Sequence, residues 1–324
     1  VRRFLIVRAA QAMIVVALVV TLSFVLVHAA PNDPFGLSFD DPNITEQVRA
    51  RERAKFGYDR PLGEQYIRWI GAIAHGDLGV SHSNGQPVAD VLKQVLPNTA
   101  LLMGTALFVG FVGGVIVGTW QAACAGTAGE RISSAVAMIT LSVPEFLLAL
   151  AAIGLLSVRW HLFPVTGMVD VAMHDSMSFG GRVVDTLRHL VLPAGTLALV
   201  VIAAVSRYQR TAVIGVLPDD FIRTARATGA SEQRVLWRHA FPNSLAPLCA
   251  IVGLLLPALF GGAVFVEKIF GWPGMGTTMV NAVLGRDYPM VLAGVICSGV
   301  LVAIGSAVAD MLAVFIDPRV ERVT

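Results

Sequence analysis

Six apolar runs punctuate the chain, at Ala9–Ala30, Thr99–Trp120, Ile132–Val158, Leu190–Val205, Leu245–Val266 and Met290–Phe315. Each approaches the roughly twenty residues needed to cross the hydrocarbon core of a bilayer, so each predicts a membrane-spanning helix. Glycine and proline within them are tolerated, because neighbouring helices satisfy the freed backbone groups. The pattern changes between the first two runs. There it predicts short helices over Thr45–Phe56, Leu62–His75 and Pro87–Leu96, the last entering the second span at Pro97. Tyr66, Trp69, Ile70 and Ile73 lie largely on one side of the middle helix, and the two aromatic residues predict an interfacial belt.

The connection between the fourth and fifth runs, Asp219 to Pro242, reads as a helix-glycine-helix element. Asp219 and Asp220 offer N-cap oxygens, Phe221–Thr228 is good helix sequence, and Gly229 can take the left-handed conformation that stops it. Ser231 caps a second helix carrying Val235, Leu236, Ala240 and Phe241 on one face, which Pro242 is expected to end for want of an amide hydrogen. Helices this short are marginal alone in water. The element therefore reads either as a docking loop or as a solvated basic loop attracted to anionic headgroups.

Composition agrees with the spans: 324 residues, 55% hydrophobic, 14% charged and a mean hydropathy of +0.70. Arg2, Arg3 and Arg8 before the first run, and Val27-His28-Ala29 at its end, resemble a signal peptide, but the apolar run is longer than a signal core and predicts a retained span. Basic residues orient the chain. Placing the N-terminus inside puts Arg131, Arg207, Arg210, Arg223, Arg226, Arg234, Arg238, Arg319 and Arg322 with Arg2, Arg3 and Arg8 in the cytoplasm. Only Arg159, Arg182, Arg188, Lys268 and Arg286 remain in the short external connections. The organisation predicted is residues 1–30 as cytoplasmic N-terminus and first span, 31–98 as an external helical segment, 99–315 as spans two to six with the cytoplasmic loop 219–243, and 316–324 as a cytoplasmic tail.

A net charge of +2 with no basic tract outside these loops predicts no nucleic-acid partner. Cys124, Cys249 and Cys297 lack metal-site or paired spacing and read as packing residues, so neither a metal nor a cofactor is predicted on this chain. There is no GxxxxGK[ST] phosphate loop, no HExxH and no GxSxG in a span, and hence no candidate catalytic residue. Ionisable residues at membrane depth are confined to Glu145, with His28 and Asp310 near span ends, too few for a proton-coupled carrier. Energy is expected from another subunit. Pro144 predicts a kink in the third span, and Glu145 beside it has either a pathway role or a neutral or paired carboxyl facing the bundle. Gly110, Gly114 and Gly118 share a face of the second span, for close packing within the subunit or against another one.

The loop resembles the EAA loop of bacterial ABC-importer permeases. Ala225, Gly229 and Pro242 match its pattern, whereas Arg223, Thr224, His239 and Phe241 depart from it in the way the dipeptide/oligopeptide branch does. Other segments resemble that branch in order and spacing: Ala30-Pro31-Asn32-Asp33-Pro34, Tyr58-Asp59-Arg60-Pro61-Leu62, Gly76-Asp77-Leu78-Gly79, Leu96-Pro97-Asn98-Thr99, Phe270 to Gly276, Arg286-Asp287-Tyr288-Pro289 and Asp317-Pro318-Arg319. The chain is similar to the B-type permease subunit of peptide/nickel-class importers. That resemblance implies an all-α membrane protein with six spans of the type I ABC-importer fold in a bacterial inner membrane. It also implies a second homologous permease, two ATPase subunits that hold ATP and Mg, and an external substrate-binding protein. Arg223, Thr224, Ala225, Ala227 and Gly229 would then form the ATPase-coupling contact, with Phe221 and Ile222 as apolar anchors and Pro242 as the motif's proline. Trp272, Pro273, Gly274 and Gly276 would form an element near the external gate. The substrate would be a peptide, with nickel or glutathione as alternatives. A proton-coupled peptide carrier leaves the docking loop unexplained, and a membrane assembly protein accounts for the packing motifs alone.

Overall fold

The computed structural model describes residues 2–29, 60–245, 248 and 263–316; the predicted helix Thr45–Phe56, the motifs at Ala30–Pro34 and Asp317–Arg319, Cys249 and most of the fifth run lie outside them. Regular structure among the described residues is helical, apart from an isolated bridge between Val80 and Pro87. The order is α1 (Arg2–Ala29), α2 (Leu62–Ala74), α3 (Val88–Ala123), α4 (Ala128–Ser142), α5 (Glu145–Ala152) running into a π-helical turn (Ile153–Arg159), α6 (Phe179–Val216), α7 (Asp220–Ala227) and α8 (Glu232–Arg234). A π turn (Val235–Ala240) then leads into α9 (Phe241–Ser244). After a helical stretch at 263–270 come α10 (Met275–Leu284) and α11 (Tyr288–Ile316). Three helices among the described residues are long and apolar enough to cross a membrane, or four if the bent pair α4 and α5 with its π turn is one span.

Two elements differ from the sequence pattern for reasons traceable to proline. The predicted helix Pro87–Leu96 is the opening of α3, which passes through Pro97 without a break. A proline forfeits one backbone hydrogen bond and crowds the carbonyl four residues earlier, and α3 tolerates both. Pro144 behaves otherwise. The kink expected in the third span is a full break, with the helices on either side bent by 107°. Val143 and Pro144 both have extended backbone (ψ 126° and 138°), as expected where a residue precedes proline, and Pro144 becomes the N-cap of α5. Helix α6 also begins well before its apolar run. Ser178 caps it by accepting from the Gly181 amide at 3.3 Å, so Arg182 and Arg188 are helical rather than part of a connection.

The chain divides into two compact units, one built on Asn98–Thr277 and the other on Ala10–Pro97 with Thr278–Ala303. In the first, the glycines of α3 meet α6 within this subunit. A methyl at Gly110 would lie 2.5 Å from the Val201 Cβ, one at Gly114 2.6 Å from the Val205 Cβ, and one at Gly118 would strike the Ser206 carbonyl. The i, i+4, i+8 glycines of one helix thus accept the i, i+4 valines of the other. Leu102, Leu197, Val205, Phe270 and Trp272 are among the fully buried side chains of the core they border.

In the second unit Tyr66 and Trp69 pack on α1. Their rings lie 5.2 and 5.4 Å from that of Phe24, and the Tyr66 hydroxyl is 2.6 Å from the Thr21 hydroxyl. Each aromatic pair is worth about 0.5–1.5 kcal/mol beyond its buried area. Asp287, only 1% exposed, accepts hydrogen bonds from the Ser81 hydroxyl, the Ser83 amide (3.2 Å) and the Met290 amide (3.3 Å). Burial raises the pKa of this carboxyl, but the hydrogen bonds from Ser81, Ser83, His82 and Met290 outweigh it and hold the group below its ordinary value.

Candidate functional site

The loop after α6 has the predicted form with a different closure. Helix α7 ends in a Schellman turn: the Ala230 amide donates to the Ala225 carbonyl (3.1 Å) and the Gly229 amide to that of Arg226 (3.0 Å). Gly229 stands at φ +85°, and nothing lies within 4 Å of where a Cβ would project, so glycine is required here by backbone conformation and not by space. Asp219 occupies the N-cap of α7 without a side-chain capping bond, which corrects the role expected of its carboxylate. Ser231 does cap α8, accepting from the Arg234 amide at 3.4 Å. Pro242 does not end the second helix. The π turn interrupts the i→i−4 ladder and the helix restarts at Phe241, so Pro242 falls in a first turn, where a missing N–H costs little.

The amphipathic faces decide how this loop sits. Ile222, Val235 and Ala240 are fully buried and Ala225 nearly so, packed with Ala122 of α3 and Val213 of α6. Burying each of the two larger side chains is worth about 1.5–3 kcal/mol, which offsets the weakness of short helices. Phe221, Arg223, Thr224, Ala227 and Gly229 face outward. Ile222 and Ala225, although on the same motif, are turned into their own subunit. Arg226 closes the turn with a bidentate pair to Glu232 at 2.8 and 3.0 Å, and this bond from Arg226 holds the Glu232 carboxyl below its usual range.

Beneath the loop lies a polar junction that the apolar pattern conceals. Gln209, fully buried in α6, donates through Nε2 to the Thr119 hydroxyl of α3 (3.1 Å) and to the Ser244 hydroxyl of α9 (3.0 Å). Arg210 reaches the buried Glu130 of α4 at 3.1 Å. Four helices are thereby tied at the end of the first unit that carries the loop. Sequence reasoning missed Thr119 and Gln209, which stand 90 residues apart near the ends of two apolar runs, and only the helix pairing places them together.

A second constellation surrounds the Phe270–Gly276 segment. Trp272 is fully buried, its indole Nε1 donating to the Asn98 carbonyl (3.0 Å), while the Asn98 side chain donates to the Pro273 carbonyl (2.9 Å). Glu267, also fully buried, anchors the turn by accepting from the Thr99 hydroxyl (2.8 Å) and the Thr277 amide (2.9 Å). The Met275 amide donates to the Thr99 oxygen at 2.7 Å. A side chain at Gly274 would occupy the place of that carboxylate, and one at Gly276 would come within 2.9 Å of it. Glu267 was missed from sequence. Its signal is an acid placed directly between an apolar run and a glycine-rich turn. Glu145 stands apart from both constellations, half-buried at the start of α5, where the helix dipole favours a carboxylate.

Two families match the chain. The family described as "Binding-protein-dependent transport system inner membrane component" matches residues 110–322, and that described as "Binding-prot-dependent transport system membrane comp, N-term" matches residues 1–103. The chain is similar to the oligopeptide transport system permease protein AppB of Bacillus subtilis, with 37% identity over 93% of each chain. It is similar to the dipeptide transport system permease protein DppB of Escherichia coli K12, with 31% identity over 93% of each. It is also 34% identical to the oligopeptide transport system permease protein OppB of Mycobacterium tuberculosis, over 98% of this chain and 99% of the relative.

Proposed function

The chain belongs to the family of binding-protein-dependent transport system inner membrane components, and we propose that it is the permease subunit of an ATP-driven peptide importer, forming half of the translocation pathway. The relatives named as oligopeptide and dipeptide permeases support the substrate class. One observation carries the mechanism: a Gly229 turn presenting Phe221, Arg223, Thr224, Ala227 and Gly229 outward while Ile222, Ala225, Val235 and Ala240 seat the same loop on α3 and α6.

In this reading the chain spans a bacterial inner membrane six times with both termini cytoplasmic, and pairs with a second homologous permease. The outward residues of the loop dock in a groove on an ATPase subunit. ATP and Mg are held by two such subunits, and this chain hydrolyses nothing. When the ATPases close, the docked loop is displaced as a unit, because its inner face is packed and its far end is bonded through Ser244 to Gln209. The displacement passes directly to α3 and α6, which the Gly110–Gly118 face locks together. At the other side, the segment held by Glu267, with Trp272, Pro273, Gly274 and Gly276, shapes the external gate where a binding protein releases substrate. Glu145, beside the break at Pro144, is assigned to the pathway in this reading.

Purification of the tagged chain from its native membrane, with identification of the associated proteins, tests the reading. Recovery of two ATP-binding-cassette subunits and a second permease is expected. Recovery of the chain alone, with peptide uptake driven by a proton gradient, would replace the reading with a secondary carrier.

A further inference from the structure

The connection leading into α6 encloses an open cavity of about 910 Å³, within the size range of small-ligand sites. Its walls are apolar, from Phe163, Val165, Val169 and Val184, and two oppositely charged residues, Asp170 and Arg188, line it. Both are exposed. The Asp170 Oδ1 accepts from the Ala172 (2.9 Å) and Met173 (3.1 Å) amides, whereas its Oδ2 and the Arg188 guanidinium have no partner among the described residues.

The cavity is built, not incidental. Asp185, only 8% exposed, accepts from the Asp170 amide (2.9 Å), lies 2.7 Å from His174 Nδ1 and lies 3.2 Å from His189 Nδ1, fixing the floor. One wall is tied to the gate segment, since the Gly167 amide donates to the Phe270 carbonyl at 2.7 Å. His161, which also lines the cavity, is held at φ +52°, a conformation costly to a non-glycine residue and recurrent at binding sites. About 46 Å of helix α6 separates Asp185 from Val216, where the loop begins. This exceeds the roughly 30 Å hydrocarbon core, so cavity and loop lie on opposite sides of a membrane that α6 crosses.

We infer that this cavity binds a short zwitterionic peptide on the external side, with the peptide carboxylate on Arg188, its ammonium group on Asp170 and its apolar side chains against the valines. The inference rests on the peptide-importer reading and adds to it a site on the permease itself.

The test is equilibrium binding of radiolabelled trileucine, its C-terminal amide and its N-acetyl derivative to the permease–ATPase complex in nanodiscs without binding protein. Arg188→Gln should weaken trileucine by about tenfold to a hundredfold and leave the amide unchanged from its wild-type value. Asp170→Asn, which keeps the Oδ1 acceptor, should weaken trileucine similarly and leave the N-acetyl peptide unchanged. Variants that bind all three probes as the wild type does, variants that weaken all three alike, or a wild type that binds none would each overturn the site. If binding-protein-dependent uptake of trileucine persists alongside such a result, the cavity proposal fails and the importer reading stands. Charge-selective binding without ATP-driven uptake would sink the importer reading instead.

Discussion

Replacing Glu267 should couple energetically to Gly274. Glu267→Ala leaves the Thr99 hydroxyl and the Thr277 amide without their buried acceptor. An unsatisfied buried donor costs about 1–3 kcal/mol, so the single variant should lose about 2–6 kcal/mol. Gly274→Ala places a methyl where the carboxylate stands, and overpacking of that kind costs about 1–3 kcal/mol. In the double variant the obstructing carboxylate is absent and the methyl enters the space it vacates. Gly274→Ala should then cost close to nothing, giving a coupling of about 1–3 kcal/mol. Thermal melting of the four detergent-solubilised proteins, followed through their intrinsic tryptophan fluorescence, measures this. Additivity within about 0.5 kcal/mol would refute the claim that the glycine exists to admit the carboxylate.

Along α3, Gly114→Leu should destabilise the chain strongly by driving into Val205, while Gly104→Ala, with nothing within 4 Å of its Cβ position, should melt at or slightly above the wild-type temperature. Single cysteines in a cysteine-free background at Ser83 and Ser231, both exposed, should differ in intact cells: an impermeant thiol reagent should label only position 83, and labelling of 231 would reverse the proposed orientation. Asp287 has a folded pKa below its ordinary 3.8, so its contribution to stability is complete above that value and lost as pH falls through the folded one. Asp287→Asn should lower the melting temperature at neutral pH and flatten the acid limb of the stability profile between those two values; an unchanged acid limb would show that the carboxylate does not hold the turn.

Periodicity carried the long helices and the loop because both depend on local chemistry. The turn after α7 needs a left-handed residue and α8 needs an N-cap, and Gly229 and Ser231 supply them within a few positions of the helices they serve. The glycine face of α3 was legible as a face, but its partner was not. That required knowing that Val201 and Val205 of α6 lie opposite it. Proline was the least legible residue. Pro97 and Pro193 lie inside helices, Pro144 breaks one and Pro242 restarts one, the outcome depending on whether neighbouring turns and packing compensate for the lost hydrogen bond. Glu267 and Gln209 escaped for a related reason. An acid or amide near an apolar run looks like a boundary, and only the tertiary arrangement turns it into a buried acceptor or a junction between helices.

The central claim is that the turn at Gly229 transmits ATPase motion, and a graded substitution tests it most directly. Because φ is +85° and the space around the Cβ position is open, the effect of a side chain there is conformational strain of about 1–3 kcal/mol, least for Asn and greatest for Val. That is small against the packing of the spans, so every variant should insert and accumulate. In reconstituted liposomes Gly229→Val should lose co-purifying ATPase subunits and substrate-stimulated ATP hydrolysis, Gly229→Asn should retain most of both, and Ala125→Ser in the α3–α4 connection should change neither. Normal ATPase association and normal uptake with Gly229→Val would contradict the account.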